Sequence, residues 1–222
     1  MKKDLFDISI TLGQESTTYP GDPAYKRETV CSLETGGVAQ VSKLTLCAHS
    51  GTHIDLPAHF IAGSRTIEQY PVEDFLMPAQ VVGIENRTCV TRAELEKKNL
   101  ARDHALLFKT ANSSSGLVTS GHFQPEWVYL GLDAAEFCVE QKIPLVGLDY
   151  LSLDRYGDKD YPVHHKVLST GMIVLENINL KSVPEGRYFL FCFPLKTGGA
   201  EGAPVRAVLA REGVFHREIP GR

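Results

Sequence analysis

The sequence predicts an α/β fold, a mixed central sheet flanked by a few helices, and three observations carry that prediction. Five short apolar runs recur along the chain at Val81–Ile84, Ala105–Phe108, Leu145–Leu148, Met172–Leu175 and Tyr188–Phe191, each of a length suited to a buried strand. Two segments between them carry helix start and stop signals. The two kinds of segment alternate, as an α/β chain requires.

After Val81–Ile84, the stretch Thr91 to Lys98 reads as helix because Thr91 is a suitable N-cap and Glu94 stands three residues on, a capping-box pattern. Asp133 to Lys142 reads as a second helix, opening at Leu132-Asp133 with Pro144 just beyond its end. The chain shows no internal repeat and no long linker, so its 222 residues, 43% hydrophobic, are expected to form one domain spanning 1–222.

Composition excludes several function classes. A net charge of −4 without a basic stripe gives no reason to expect nucleic acid as a partner. Met1-Lys-Lys-Asp-Leu lacks the apolar run of a signal peptide, and no stretch of about 18 apolar residues is present, so a soluble, cytoplasmic chain without a membrane partner is expected. Cys31, Cys47, Cys89, Cys138 and Cys192 are odd in number and scattered, which favours free buried thiols over disulfides or a thiolate zinc site. Asn112-Ser-Ser-Ser-Gly116 reads as a surface turn, since no lysine-threonine pair follows to complete a phosphate loop. Thr197 to Pro204 reads as a flexible connection that is also a candidate pocket wall, and Trp127 as a core or interface residue.

The densest chemistry lies in His49-Ser-Gly-Thr-His53-Ile-Asp55-Leu-Pro-Ala-His59, three histidines and one aspartate within eleven residues. Imidazole and carboxylate together suit a divalent zinc, manganese or iron ion, and three such ligands with an open position make a catalytic site. Gly51, Thr52, Ile54 and Pro57 argue against helix, so the segment is expected to be strand or bent loop. In a straight strand rising ~3.3 Å per residue, His49 and His53 would stand roughly 13 Å apart, near the limit for sharing one ion. The chain should therefore bend, and Gly51 is the residue that permits it. His53 and Asp55, at about half that separation, can share an ion without distortion. Pro57 then interrupts the strand and turns His59 back toward the site.

The same residues carry a resemblance. The pattern His-x-Gly-Thr-His-x-Asp-x-Pro-x-His from His49 to His59 resembles the cyclase family of metal-dependent hydrolases, which includes bacterial kynurenine formamidases and isatin hydrolases. Further matches are Leu5-Phe-Asp7-Ile-Ser9, Tyr19-Pro20-Gly21-Asp22-Pro23, and Val163-His164-His165-Lys-Val-Leu through Gly171 to Leu175-Glu176-Asn177. The resemblance implies a swivelling β/β/α fold, and it implies that His49, His53 and Asp55 bind one divalent ion while Asp55 bridges to a second held with His164 and Glu176. Of the adjacent pair it selects His164, which precedes Glu176 by twelve residues as the family pattern requires. On a helical turn His164 and His165 would point about 100° apart, so only one can face an ion. His59 matches the family's general acid/base, with Glu176 able to assist. Tyr19 stands where formamidases carry a tryptophan that lines the substrate pocket. The implied cofactor is one or two zinc ions per subunit, or manganese, and the implied assembly is a homo-oligomer, dimer or tetramer, with sites near the interface.

The chemistry expected of such a site is hydrolysis of a carbon-nitrogen amide-type bond in a small molecule, an arylformamide such as N-formylkynurenine or a cyclic amide or lactam. A bound metal lowers the pKa of its water from about 15.7 to about 7, and the hydroxide so formed attacks the carbonyl while His59 moves the proton to the leaving nitrogen. Two other classes stay open at this stage. His49, His53 and Asp55 also fit the two-histidine, one-carboxylate face of a non-haem iron oxygenase, though that leaves His164 and Glu176 without a use. A non-catalytic metal-dependent binding protein would keep the ligands but has no need of His59.

Overall fold

The apolar runs become the centre of a mixed sheet. The computed structural model describes residues 4–214, and in chain order its strands are β1 (Leu5–Asp7), β2 (Lys26–Cys31), β3 (Val41–Thr45), β4 (His53–Asp55), β5 (Leu76–Gly83), β6 (Cys89–Val90), β7 (Ala105–Lys109), β8 (Tyr129–Leu130), β9 (Leu145–Leu148), β10 (Ile173–Glu176), β11 (Gly186–Phe191), β12 (Gly202–Pro204) and β13 (Val208–Arg211). The helices are α1 (Arg92–Leu95), α2 (Ala111–Ser115), α3 (Leu132–Glu140) and α4 (Pro162–Leu168). Nine strands form one sheet in the order β1-β13-β11-β5-β7-β9-β10-β4-β12. Its centre, β5-β7-β9-β10, is parallel, and antiparallel strands extend it on both sides.

Burial on two faces explains why the central strands read as unbroken apolar runs. Val82, Phe108, Val146 and Val174 face a core shared with Leu130, Ala134 and Cys138 and with Val163 and Val167 of α4. Their neighbours Val81, Leu107, Leu145 and Leu175 face the other way, into a second core with Ile54, Tyr188, Leu190 and Leu209. Each large side chain sealed in this way contributes about 1.5–3 kcal/mol.

Several local expectations need correction. Thr91 does cap α1, accepting from Glu94 N, but the Glu94 carboxylate accepts from Glu85 N and Asn86 N, so only half the capping box forms. The helix covers Arg92–Leu95 and stops short of Lys98. Asn112–Gly116 is not a surface turn: it contributes most of α2, and Asn112 and Ser113 are buried against Asp149, whose carboxylate accepts from Thr110 N, Thr110 Oγ1, Asn112 Nδ2 and Ser113 N. Thr197–Pro204 ends as strand β12, paired with β4, rather than as a free connection. All five cysteines are unpaired, but only Cys138 and Cys192 are buried. Trp127 is a core residue whose indole N–H donates to Ser152 O. Among the described residues no helix is long and apolar enough to cross a membrane.

The segment from His49 to His59 is a bend, a strand and a turn. Gly51 adopts φ +65, β4 carries His53 and Asp55, and Pro57–His59 closes a single 3-10 turn. A Cβ at Gly51 would lie 2.6 Å from Leu12 Cδ2, on a backbone conformation that costs an L-residue about 1–2 kcal/mol. Gly51→Ala is therefore expected to destabilise the protein by at least about that amount. Thermal unfolding reads it, and an unchanged melting temperature would contradict the bend as the element that brings His49 to β4.

Candidate metal centre

Strand register sets the first contacts. β4 pairs antiparallel with β10 so that His53 lies directly opposite Glu176, and with β12 so that Asp55 lies opposite Gly202. Opposed residues on one face are close neighbours, so the histidine and the glutamate, far apart in sequence, meet. Gly202 is required at its place: a Cβ there would lie 2.4 Å from Ile54 O and 3.2 Å from His49 Cε1. His53 Nδ1 meets Gly51 O at 2.8 Å, which turns Nε2 toward the carboxylates, 3.4 Å from Asp55 Oδ1 and 3.4 Å from Glu176 Oε2.

Two further imidazoles close on the same aspartate. The bend at Gly51 brings His49 Nδ1 within 2.7 Å of Asp55 Oδ1 and the His49 ring within 5.2 Å of that of His53. His164, in the first turn of α4, places Nε2 at 3.5 Å from Asp55 Oδ2 and 3.2 Å from Glu176 Oε1. His59 stacks on His49 at 4.1 Å between ring centroids. His165, about 100° further round the helix, is exposed and packs edge-on against Phe60.

The structure thus brings His49, His53, Asp55, His59, His164 and Glu176 together. Ligand-capable atoms of His49, Asp55 and His59 lie within 4.8 Å of one another, and so do those of His53, Asp55 and Glu176. In these two sets His59 falls beside His49, and His53 beside Glu176, with Asp55 common to both. Cys47 belongs to neither.

The electrostatics follow from burial. His53, Asp55, His164 and Glu176 are each at most 3% exposed, where a carboxylate without a compensating positive charge is costly. Burial opposes a charged His53 ring, but Asp55 and Glu176 outweigh it and push its pKa up to about 10. Burial likewise opposes charge on His164 and His49; contacts with Asp154, Asp55 and Glu176 hold the first well above the imidazole range, and Asp55 and Glu201 raise the second. Asp55 is held well below the carboxylate range by His49, His53 and His164, against the effect of burial. A donor set that draws protons onto its imidazoles to balance its carboxylates suits a divalent cation, which supplies the same charge and takes the freed lone pairs.

A cavity of about 400 Å³ opens onto these groups, walled by Tyr19, Pro20, Phe60, Leu151 and Tyr161. Burial, then a hydrogen bond with Tyr161, raises the pKa of Tyr19, so its hydroxyl stays protonated at the cavity wall.

A model of the cyclase family matches residues 6–155. The chain belongs to the cyclase family. A kynurenine formamidase from Bacillus thuringiensis (strain Al Hakam) is 35% identical over 203 residues, 91% of this chain and 95% of the relative. A solved structure of a potential metal-dependent hydrolase with cyclase activity aligns with TM-score 0.80 at 30% identity, over 94% of this chain and 98% of the other. Isatin hydrolase A from Labrenzia aggregata shares the fold, with TM-score 0.78 at 21% identity over 93% of each chain. Within its family the chain is a hydrolase similar to the kynurenine formamidases.

This cyclase-family site includes residues that sequence reasoning missed. Glu201 reaches His49 Nε2 at 3.1 Å from the end of the Gly-rich stretch before β12; only the reading of that stretch as a pocket wall pointed to it. Asp154 binds His164 Nδ1 at 2.5 Å, and no pattern in the sequence marks it. Tyr161 lines the cavity with φ +42, a conformation rare for an aromatic residue and without local sequence signal.

Charge balance in the centre makes stability depend on pH. A histidine raised from 6.5 to about 10 contributes stability that is complete below its unfolded value and lost as pH rises through the folded one. The chelator-treated protein is therefore expected to lose melting temperature between about pH 6.5 and about pH 10, the window set by His53. A melting temperature that is flat or rising across that window would contradict the assigned charge pairing.

Proposed function

We propose that this chain is a metal-dependent hydrolase of carbon-nitrogen amide bonds in small molecules, with an arylformamide such as N-formylkynurenine as the leading substrate and cyclic amides as the next class. The observation that carries the reading is the convergence of His49, His53, Asp55, His164 and Glu176 at the floor of an aromatic-walled cavity. The likeness to kynurenine formamidases over nine-tenths of the chain supports hydrolysis over an iron-oxygenase or purely binding role.

His49, His53, Asp55, His164 and Glu176 would hold the cation, as one ion or two. Their imidazole-rich character favours zinc, with manganese next. A divalent ion held there would supply the acidity that makes water a usable nucleophile and the charge that polarises an amide carbonyl. The chain supplies the remainder. Burial pushes the His59 pKa below the ordinary imidazole range, so the ring is neutral near neutral pH and has a lone pair to accept a proton. The same ring then returns that proton to the leaving nitrogen. Glu176 is less free to shuttle protons, because Leu153 N donates to its Oε1 at 2.6 Å and its Oε2 faces His53. Tyr19, Phe60 and Tyr161 offer flat apolar faces to an aryl group.

An oligomer belongs to the same reading. Val30, Leu33, Val38, Val41 and Leu44 are exposed on and around the β2–β3 hairpin, and a two-stranded ribbon alone is marginal in water. Sedimentation is expected to give a dimer or tetramer of the 24.5 kDa chain, and a monomer at micromolar concentration would contradict this part of the proposal.

Substitution separates the assigned roles. His53→Ala and Asp55→Ala should lose the bound ion and turnover together, read by elemental analysis and by absorbance loss of N-formylkynurenine. His59→Ala should keep the ion and lose about a hundred- to ten-thousand-fold in kcat. A fully active His59→Ala enzyme would refute its role in proton transfer.

A further inference from the structure

We propose that Asp154 is a positioning residue for the metal centre: it decides which nitrogen of His164 faces the ions. This inference rests on the divalent-ion reading above and deepens it. Asp154 is 1% exposed, and its carboxylate is fixed by backbone: Oδ1 accepts from Val163 N at 2.8 Å and Oδ2 from His164 N at 3.0 Å. The N-cap residue of α4, Tyr161, makes no side-chain capping bond, so Asp154 caps the helix from outside it. The same Oδ2 meets His164 Nδ1 at 2.5 Å.

Both oxygens of this carboxylate accept backbone N–H groups, so it meets the ring as an acceptor and the nitrogen facing it carries a proton. The proton on Nδ1 leaves the lone pair of the neutral imidazole on Nε2, the atom that faces Asp55 and Glu176. Phe60 stacks on the His164 ring at 5.0 Å and fixes its plane from the side. The residue before Asp154 completes the arrangement, since Leu153 N donates to Glu176 Oε1. Two consecutive residues therefore hold Glu176 and His164 in place, Leu153 through its backbone and Asp154 through its side chain. Outer carboxylates of this kind typically tune metal affinity by about 10–100-fold.

Asp154→Asn tests the assignment. Asparagine keeps the size and one helix-capping acceptor, but it can turn an N–H toward Nδ1, which favours the tautomer with the proton on Nε2. Titration of the stripped protein with zinc chloride should show affinity weakened about 10–100-fold in Asp154→Asn, with the circular dichroism spectrum unchanged. In the zinc-loaded wild type, ¹⁵N-histidine NMR should show His164 protonated at Nδ1 and bound through Nε2. Wild-type zinc affinity in folded Asp154→Asn, or a lower melting temperature alone, would reduce Asp154 to a helix cap and overturn the inference. Should the variant not fold, the wild-type spectrum decides: a proton on Nε2 of His164 overturns it equally. A wild-type protein that binds neither zinc nor manganese would instead defeat the functional reading on which the inference stands.

Discussion

Asp55 is the constraint around which the site is arranged. It is buried beside a second carboxylate, Glu176, and lies within 3.5 Å of three imidazoles, those of His49, His53 and His164. Two carboxylates in a dry interior repel each other and forgo hydration, so the fold must surround them with positive charge. The three histidines arrive by three routes: a glycine bend for His49, strand alternation for His53, and the first turn of a helix for His164. An error in any of these routes leaves buried charge uncompensated, which ties the stability of this part of the sheet to its chemistry.

The sheet supplies the precision. β4 is only three residues long, yet it is paired on both sides, by β10 and β12, and its middle residue Ile54 is fully buried in the second core. A slip of one residue would turn His53 and Asp55 away from the cavity and put Ile54 in their place, so apolar packing and the placement of the donor side chains select the same register. Glu201, just before β12, and Gly202, its first residue, then close on His49, one by contact and the other by having no side chain.

Much of this was legible in the sequence, and the rest was not for identifiable reasons. The parallel centre of the sheet was readable because strands buried on both faces are apolar at every position, as in Leu145–Leu148. The need for a bend at Gly51 followed from distance alone. The edge strands were not readable: Leu5–Asp7 alternates over too few residues, and Gly202–Pro204 carries residues that ordinarily mark a turn. Asn112–Ser115 misled because its polar side chains are satisfied internally by Asp149, a partner far along the chain. Asp154 and Glu201 were invisible for the same reason, since each acts on a histidine through a tertiary contact.

The centre is a proton-loaded donor set that a divalent cation can claim, and proton exchange on binding tests that claim most directly. Calorimetric titration of the chelator-treated protein with zinc near neutral pH, repeated in buffers of different ionisation enthalpy, measures the protons exchanged. The account predicts tight binding with net proton release, because the raised pKa of His53 means that a proton must leave before its nitrogen can serve as a ligand. Absence of binding, or binding without proton release, would contradict it.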